Sequence, residues 1–507
     1  MHERTVRKLI REASNSGVTL WAEDGRLRFK APKGSMSEAL RAALESSKHE
    51  LIGDLTHPLF RKRDEPPAIV RYPPFWKDSW EENQADPSMS KSLHFALSLA
   101  GDITPERIES ALKRLTSRHD LLRSRVTLED GTPCLRLDQD GVVPQSFVDL
   151  SAGCAADRSL RVKTAIEQFI YAPFTEGQIY RSHLIKVTDN EYVVAVGIHH
   201  FVADAASLMI LLQELIASLQ DDDRVGSATE ERPIQYADYL LGLNEWLQGA
   251  GFRYRLEYWR ENMRGAPAFF PLTQTAQSNG PATFKVAKIP IDKALRARLF
   301  RATASAEMPF ALSLLAANFA ALAITLSSTD LVSIFLHSGR NDPALLPLVG
   351  FTINPILIRV TVLPEMSFAD LLASVNRAYI LASDYQIPWA LLRRSLSEIG
   401  VSCVAPLFNY MEITRASPDE RSSSRQGSSL AINHLPVALP QRTDMAEWKS
   451  CEVSVMDSGV TTLVTVKHMS SSRTAAVHQY VASFSHCVEM MGEEPARRIG
   501  DARRPLS

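Results

Sequence analysis

The sequence has no apolar run approaching the roughly eighteen residues that a bilayer-crossing helix needs. Even its most apolar stretch, Phe310–Leu326, is interrupted by Ser313, Asn318 and Thr325. The N-terminus, MHERTVRKLI, lacks the apolar core and small-residue cleavage site of a secretory leader. Cysteine is scarce: Cys134, Cys154, Cys403, Cys451 and Cys487 are scattered, odd in number and without a CxxC pair. They read as reduced thiols of a cytoplasmic protein, and neither a disulfide framework nor a metal site is expected. An excess of one charge is missing too. Lys and Arg number 56 against 58 Asp and Glu, a formal net charge of -2. That balance excludes a nucleic-acid binder that neutralises phosphates over a broad surface. What is present is ordinary for a soluble globular protein, with 45% hydrophobic and 22% charged residues. The length of 507 residues suffices for about three average domains.

Residues 1–55 read as a unit of their own. Val6–Ala13 has short amphipathic helical spacing, and Ser14 to Gly17 break it. Val18–Glu23 and Arg26–Ala31 read as two strands around Asp24-Gly25, a strong hairpin signal. A two-residue turn there pairs Glu23 with Arg26, Trp21 with Arg28, and Thr19 with Lys30. Leu20, Ala22, Leu27 and Phe29 form the opposite, apolar face, which the helical spacing of Ser37–Leu55 is expected to cover. The charged face, Trp21 among Arg26, Arg28 and Lys30, reads as a protein-binding edge, since an exposed Trp among three cations is unusual for inert surface. The simpler account is a solvated edge protected by charge.

Residues 56–72, rich in charge and proline, read as a linker. Helical and strand patterns then mix without another obvious tether. Strands are expected at Leu93–Leu99, Leu121–Leu128, Gln178–Val187 and Tyr192–His199, with helices at Thr104–Arg118, Ala165–Tyr171 and Ala205–Leu219. The second half repeats the mixture, with strands at Phe284–Ile291, Leu331–Ser338 and Ile356–Val362 and helices at Ala294–Ala304, Phe310–Leu326 and Phe368–Leu381. Ala416–Gln426 is a polar, serine-rich insertion that reads as a loop. Two α/β lobes are expected, at 73–245 and 246–507.

The sharpest local signal is Ile198-His199-His200-Phe201-Val202-Ala203-Asp204-Ala205-Ala206-Ser207, which leaves an apolar strand and opens a helix. Successive strand residues point to opposite sides, so one histidine can face a cleft while the other packs. A neutral imidazole with a pKa near 6.5 can take a proton from an attacking amine or hydroxyl. Asp204 alone reads equally well as a helix cap, and paired histidines are often core residues. The spacing HHxxxDxxS is rarer than either, arising by chance in very roughly one chain in a thousand of this length.

This segment resembles the HHxxxDG core motif of the condensation domains of nonribosomal peptide synthetases. Arg118-His119-Asp120-Leu121-Leu122-Arg123 is similar to the family's RHxxLR segment. Tyr236-Ala237-Asp238-Tyr239 with Tyr258-Trp259, Gly339-Arg340 with Val349–Asn354, Tyr385–Trp389 and Pro406–Asn409 resemble later segments, in family order. Two departures stand out: Ala205 replaces the motif glycine, and the family's early SxxQxRxW segment is not recognisable around Phe75–Ser79. Residues 1–55 resemble the β-hairpin docking domains, of αββαα form, found in tubulysin-type assembly lines.

The resemblance implies an α/β (α+β) fold of the chloramphenicol-acetyltransferase type, a V-shaped two-lobed pseudo-dimer with its active site in a tunnel between the lobes. It implies acyl transfer from a carrier-protein thioester to an amine or hydroxyl, with possible release of the chain, and leaves open which bond forms. His200 is expected to be the base or the positioner of the nucleophile. His199 and Asp204 are expected to be structural, Asp204 pairing with Arg118 or Arg123. Ala205, Ser207 and Asn354 are expected along the substrate channel. Trp21, Arg26, Arg28 and Lys30 would receive the short acidic C-terminal tail of an upstream carrier-bearing protein. No cofactor is expected on the chain itself, only phosphopantetheine on its carrier partners. The acceptor is free or carrier-bound, and the protein is expected to be monomeric, with no adenylation, carrier or thioesterase domain of its own. Two other readings stand beside this one: an acyl-CoA-dependent acyltransferase of the same fold, although its DFGWG motif is absent, and an inactive recruiting scaffold.

Overall fold

A computed structural model describes residues 9, 12–13, 16–23, 26–32, 34–48, 51–52, 60, 62–64, 66–85, 92–138, 145–152, 154–174, 177–220, 232–267, 284–304, 308–401, 405–412, 430–435, 449–469 and 474–502. The Asp24-Gly25 turn, the Trp21 side chain, Cys403 and the serine-rich stretch 416–426 lie outside the described residues. The chain divides into two compact units. The first comprises Met1–Phe252, Ser338–Ile353 and Ser417–Pro440, the second Arg253–His337, Asn354–Ala416 and Gln441–Ser507. A division after residue 245 therefore differs from the observed one. Periodicity finds elements along the chain but not which core each one joins, and Ser338–Ile353 links two strands of the second unit while belonging to the first.

At the N-terminus, β1 (Thr19–Glu23) and β2 (Arg26–Lys30) pair antiparallel with Glu23 opposite Arg26, Trp21 opposite Arg28 and Thr19 opposite Lys30. The register is the one that a two-residue connection between these strands predicts. Helix α1 (Glu38–Ser46) opens on Ser37, whose hydroxyl accepts from the Leu40 N–H at 3.1 Å. Leu20, Leu27 and Leu40 pack on Leu9, Leu44 and Leu51. Phe29, expected on the covered face, is 47% exposed, because this small leucine core does not extend to it.

The expected linker carries structure. Its residues Ile69–Arg71 form β3, and Phe60 stacks on Tyr239 at 4.9 Å. There follow α2 (Trp76–Ala85), β4 (Ser92–Ala100), α3 (Pro105–Arg118), β5 (Ser124–Glu129), β6 (Thr132–Leu137), β7 (Gln145–Asp149), α4 (Ala155–Tyr171), β8 (Tyr180–Thr188), β9 (Glu191–His199), α5 (Ala205–Gln220) and α6 (Tyr236–Leu247). A strand was expected from Leu121, but Asp120–Arg123 is a 3-10 turn and the strand starts at Ser124. The rest comprises α7 (Ala250–Asn262), β10 (Phe284–Ile291), α8 (Lys293–Ala304), α9 (Ala311–Leu326), β11 (Asp330–His337), β12 (Asn354–Thr361), α10 (Phe368–Asp384), α11 (Trp389–Glu398), β13 (Ala405–Glu412), β14 (Ala431–Leu435), β15 (Lys449–Asp457), β16 (Thr462–Met469) and α12 (Thr474–Glu493).

In the first unit one sheet runs β14-β4-β9-β8-β7 and a second runs β3-β6-β5; the second unit holds the sheet β10-β16-β15-β13-β11-β12. β9 is central and buried on both faces. Val194, Val196 and Ile198 join the core of Leu97, Leu99, Leu211 and Leu215, while Val193 and Ala195 meet Ile166, Phe169 and Ile170 of α4. This accounts for its almost uninterrupted apolar sequence. The strand ends at His199 and α5 begins at Ala205, so the histidine motif is a short connection held by a strand on one side and a helix on the other. Among the described residues no helix is long and apolar enough to cross a membrane.

Candidate active site

The two histidines make different attachments. His199 is buried, its ring 5.3 Å from that of Phe174 and 6.3 Å from that of Trp80. Its Nδ1 accepts the Phe201 backbone N–H at 3.0 Å, so in the neutral ring Nε2 carries the proton. His200 is half-buried, 5.8 Å from the Phe351 ring. Its Nδ1 lies 2.9 Å from the Ala203 carbonyl oxygen. A carbonyl only accepts, so Nδ1 donates, and the neutral ring carries its basic lone pair on Nε2. The backbone of the motif thereby selects opposite tautomers for the two rings. The tautomer of His200 is the one in which Nε2 can receive a proton.

Asp204 is fully buried and organises the turn that carries His200. Arg340 grips it with two bonds, Nη1 to Oδ2 at 2.8 Å and Nη2 to Oδ1 at 2.9 Å. Oδ1 also accepts the Ser207 N–H at 2.8 Å, and Oδ2 accepts the Thr352 N–H and hydroxyl at 3.1 Å each. Burial pushes this carboxyl up, but the bonds and charge of Arg340, with the hydrogen bonds of Ser207, outweigh it and hold it below its ordinary value. Two glycines permit the close packing. A Cβ on Gly339, which has φ +72°, would lie 1.9 Å from the Thr352 carbonyl oxygen, and one on Gly350 would lie 2.3 Å from the Tyr236 ring.

The expected partners of Asp204 are engaged elsewhere. Arg118 Nε donates to Glu214 Oε1 at 3.1 Å, and His119 Nε2 donates to Glu214 Oε2 at 2.7 Å. Arg123 donates to Asp120 at 2.6 Å and to the Thr116 carbonyl at 3.0 Å, and Arg232 takes the other Asp120 oxygen. Arg118 and His119 thus tie α3 to α5 through Glu214. The Asp204 partner is Arg340, which in the sequence stands out only as part of a family segment, with no role attached. Ser207, expected in the channel, is fully buried, with its hydroxyl 2.8 Å from both Asp204 Oδ1 and the Gly350 carbonyl oxygen. Its place is inside this network. Ala205 is exposed at the start of α5. Asn354, in the second unit, donates to the Ile387 carbonyl at 2.9 Å and accepts the Trp389 N–H at 3.0 Å, which fixes the start of α11. Arg26, Arg28 and Lys30 are exposed on β2.

A cleft of about 700 Å3 in the second unit, lined by residues including Ile291, Leu295, Met456, Thr462 and Glu489, contains none of the histidine-motif residues. Among the described residues no group of three or more metal-ligating side chains comes together.

Residues 80–446 match the family model of the condensation domain. The chain belongs to the condensation-domain family. Residues 6–56 match the TubC N-terminal docking domain. The chain is 26% identical over 412 residues to a component of the linear gramicidin synthase of Brevibacillus parabrevis, a match that covers 80% of this chain and 8% of that protein. It is 28% identical over 311 residues to phosphinothricin tripeptide synthetase PhsC of Streptomyces viridochromogenes, 60% of this chain and 28% of that one. The chain therefore spans well under a third of these relatives. Among solved structures it is similar to that describing condensation domain-mediated chain release from the enacyloxin polyketide synthase, with TM-score 0.65, 21% identity and 96% of each chain covered. It is also similar to the EpoB cyclization-docking bidomain from Sorangium cellulosum, with TM-score 0.62, 15% identity, and 97% and 99% covered. These likenesses establish the expected chloramphenicol-acetyltransferase-like fold. Condensation domains act on phosphopantetheine-carried substrates.

Proposed function

We propose that the chain transfers a polyketide or peptidyl acyl group from a carrier-protein thioester to an amine or hydroxyl acceptor, forming an amide or ester and freeing the carrier. The observation that carries this reading is the tautomer of His200, with Nδ1 committed to the Ala203 carbonyl and the basic lone pair on Nε2. The acceptor nitrogen or oxygen bonds to the thioester carbonyl carbon and the carbon–sulfur bond breaks. The proton lost by the acceptor passes to Nε2 and from there to the departing sulfur, which leaves as a thiol. Such a positioned base contributes about 10²- to 10⁴-fold. Asp204 and Arg340 do not touch the reacting atoms in this scheme; they hold the turn on which His200 sits.

An acceptor amine with a pKa near 8 is already partly neutral at about pH 7, whereas a hydroxyl is not ionised and depends on the base far more. An upstream partner enters through the hairpin, its acidic C-terminal tail adding as a strand beside Arg26, Arg28 and Lys30.

Single-turnover transfer from an acyl-loaded carrier protein, followed by intact-protein mass spectrometry, tests the proposal. Loss of the acyl group from the carrier, with the acceptor acylated and no transfer from the matching acyl-CoA, is the expected result. Transfer from acyl-CoA alone would make the chain a CoA-dependent acyltransferase, and carrier binding without transfer would make it a scaffold.

A further inference from the structure

Arg181, on β8, is a buried cation, 9% exposed, whose hydrogen bonds go to backbone. Nη2 donates to the Phe169 and Ala172 carbonyls at 2.7 and 2.6 Å, and Nη1 to the Pro173 carbonyl at 3.1 Å. These oxygens belong to the end of α4 and its exit, where helix carbonyls lack intrahelical partners and carry partial negative charge. Burial lowers the Arg181 pKa to about 10, which still leaves it charged at neutral pH. The guanidinium also lies over Phe174, 4.3 Å from the ring centroid. The far side of this arrangement is the catalytic turn, since the Phe174 ring is 5.3 Å from that of His199, whose Nδ1 holds the Phe201 N–H. Arg181 sits opposite Gly197 across β8 and β9, two residues before His199, so both side chains lie on the same face of the sheet.

We propose that Arg181, acting through Phe174 and His199, is a positioning residue for the turn that presents His200. The guanidinium clamps the exit of α4, and the clamp presses Phe174 against His199. His199 then holds the 199–201 backbone, and with it the direction of Nε2 on His200. The rate part of this inference rests on the acyl-transfer reading of His200; the geometric part does not.

The test uses the full chain carrying Arg181→Met, Arg181→Lys, Phe174→Leu and the Arg181→Met/Phe174→Leu pair. With an acyl-loaded carrier as probe, Arg181→Met and Phe174→Leu should each lower the single-turnover rate about 10- to 100-fold, the scale of a small misplacement of a reacting group. KM for the carrier should stay within about twofold. The pair should be no slower than its slower member, because both changes break the same path, and Arg181→Lys should recover part of the loss by keeping the charge. Phe174→Leu leaves the bonds of Arg181 in place, so it remains informative if Arg181→Met does not fold. A second measurement does not depend on transfer. In ¹⁵N-histidine-labelled protein, Phe174→Leu should shift or broaden the His199 and His200 imidazole signals while leaving those of His337 and His468. Unmoved His199 and His200 signals, additive losses in the pair, or a loss confined to KM would overturn the inference. Shifted signals in a protein whose wild type transfers nothing would refute the functional reading and leave the positioning role standing.

Discussion

Replacing Asp204 by Asn is the perturbation whose outcome the structure constrains most tightly. Each carboxylate oxygen receives three contacts. Oδ1 meets the Ser207 N–H and hydroxyl and Arg340 Nη2, and Oδ2 meets Arg340 Nη1 and the Thr352 N–H and hydroxyl. Whichever oxygen becomes an amide NH2, a donor then faces donors, and Arg340, 8% exposed, is left as a buried cation without its counter-charge. Breaking a buried pair on one side costs about 3–5 kcal/mol, a large share of the roughly 5–15 kcal/mol that holds a domain folded. The expected result is a fall in amide exchange protection of that size across β9 and α5, together with a lower urea midpoint. Asp204→Asn/Arg340→Met, which removes both charges, should lose less than the two single changes summed. The pH dependence follows from the depressed carboxyl: the stability it supplies is present above its unfolded pKa of about 3.9 and is lost as pH falls through the folded value. The gap between wild type and Asp204→Asn should therefore narrow below about pH 4. Protection unchanged at pH 7, or a gap that widens in acid, would refute the reasoning.

Three further outcomes are expected. Gly350→Ala puts a methyl 2.3 Å from the Tyr236 ring and should destabilise the first unit by about 1–3 kcal/mol, read as a lower urea midpoint. Reversing Arg26, Arg28 and Lys30 to Glu should weaken binding of the acidic tail proposed for an upstream partner and flatten its salt dependence, and titration calorimetry giving an unchanged Kd would refute the proposed docking edge. In the second unit Asp457 is pushed up by burial but held at about 2 by Arg296, Tyr410 and Thr462. Its contribution to stability should be lost between about pH 4 and pH 2, and Asp457→Asn should flatten that limb of the urea midpoint against pH.

Much of the fold is legible wherever a local rule decides. The Asp24-Gly25 pair sets the hairpin register one residue against another, because a two-residue turn permits few alternatives. The apolar run of β9 and the helical spacing of α5 place the histidine motif between them. What is not legible depends on tertiary topology. Arg340 lies 136 residues beyond Asp204, and Arg118 and Arg123, nearer along the chain, are held by Glu214 and Asp120. The family resemblance places Ser207 along the channel, but its hydroxyl is buried among Asp204, Gly350 and Arg340 and is satisfied where it stands. Ile69–Arg71 reads as tether because charge and proline dominate its surroundings and three residues are too few to show a period; only its pairing with β6 makes it a strand.

The most direct measurement is single-turnover transfer by His200→Ala with paired amine and hydroxyl acceptors of otherwise matched structure. The hydroxyl reaction is expected to fall by about 10²- to 10⁴-fold, with folding intact, while amide formation stays measurable because part of the amine is already neutral. Equal losses for the two acceptors, or a hydroxyl rate matching the wild type, would contradict the account of Nε2 as the proton acceptor.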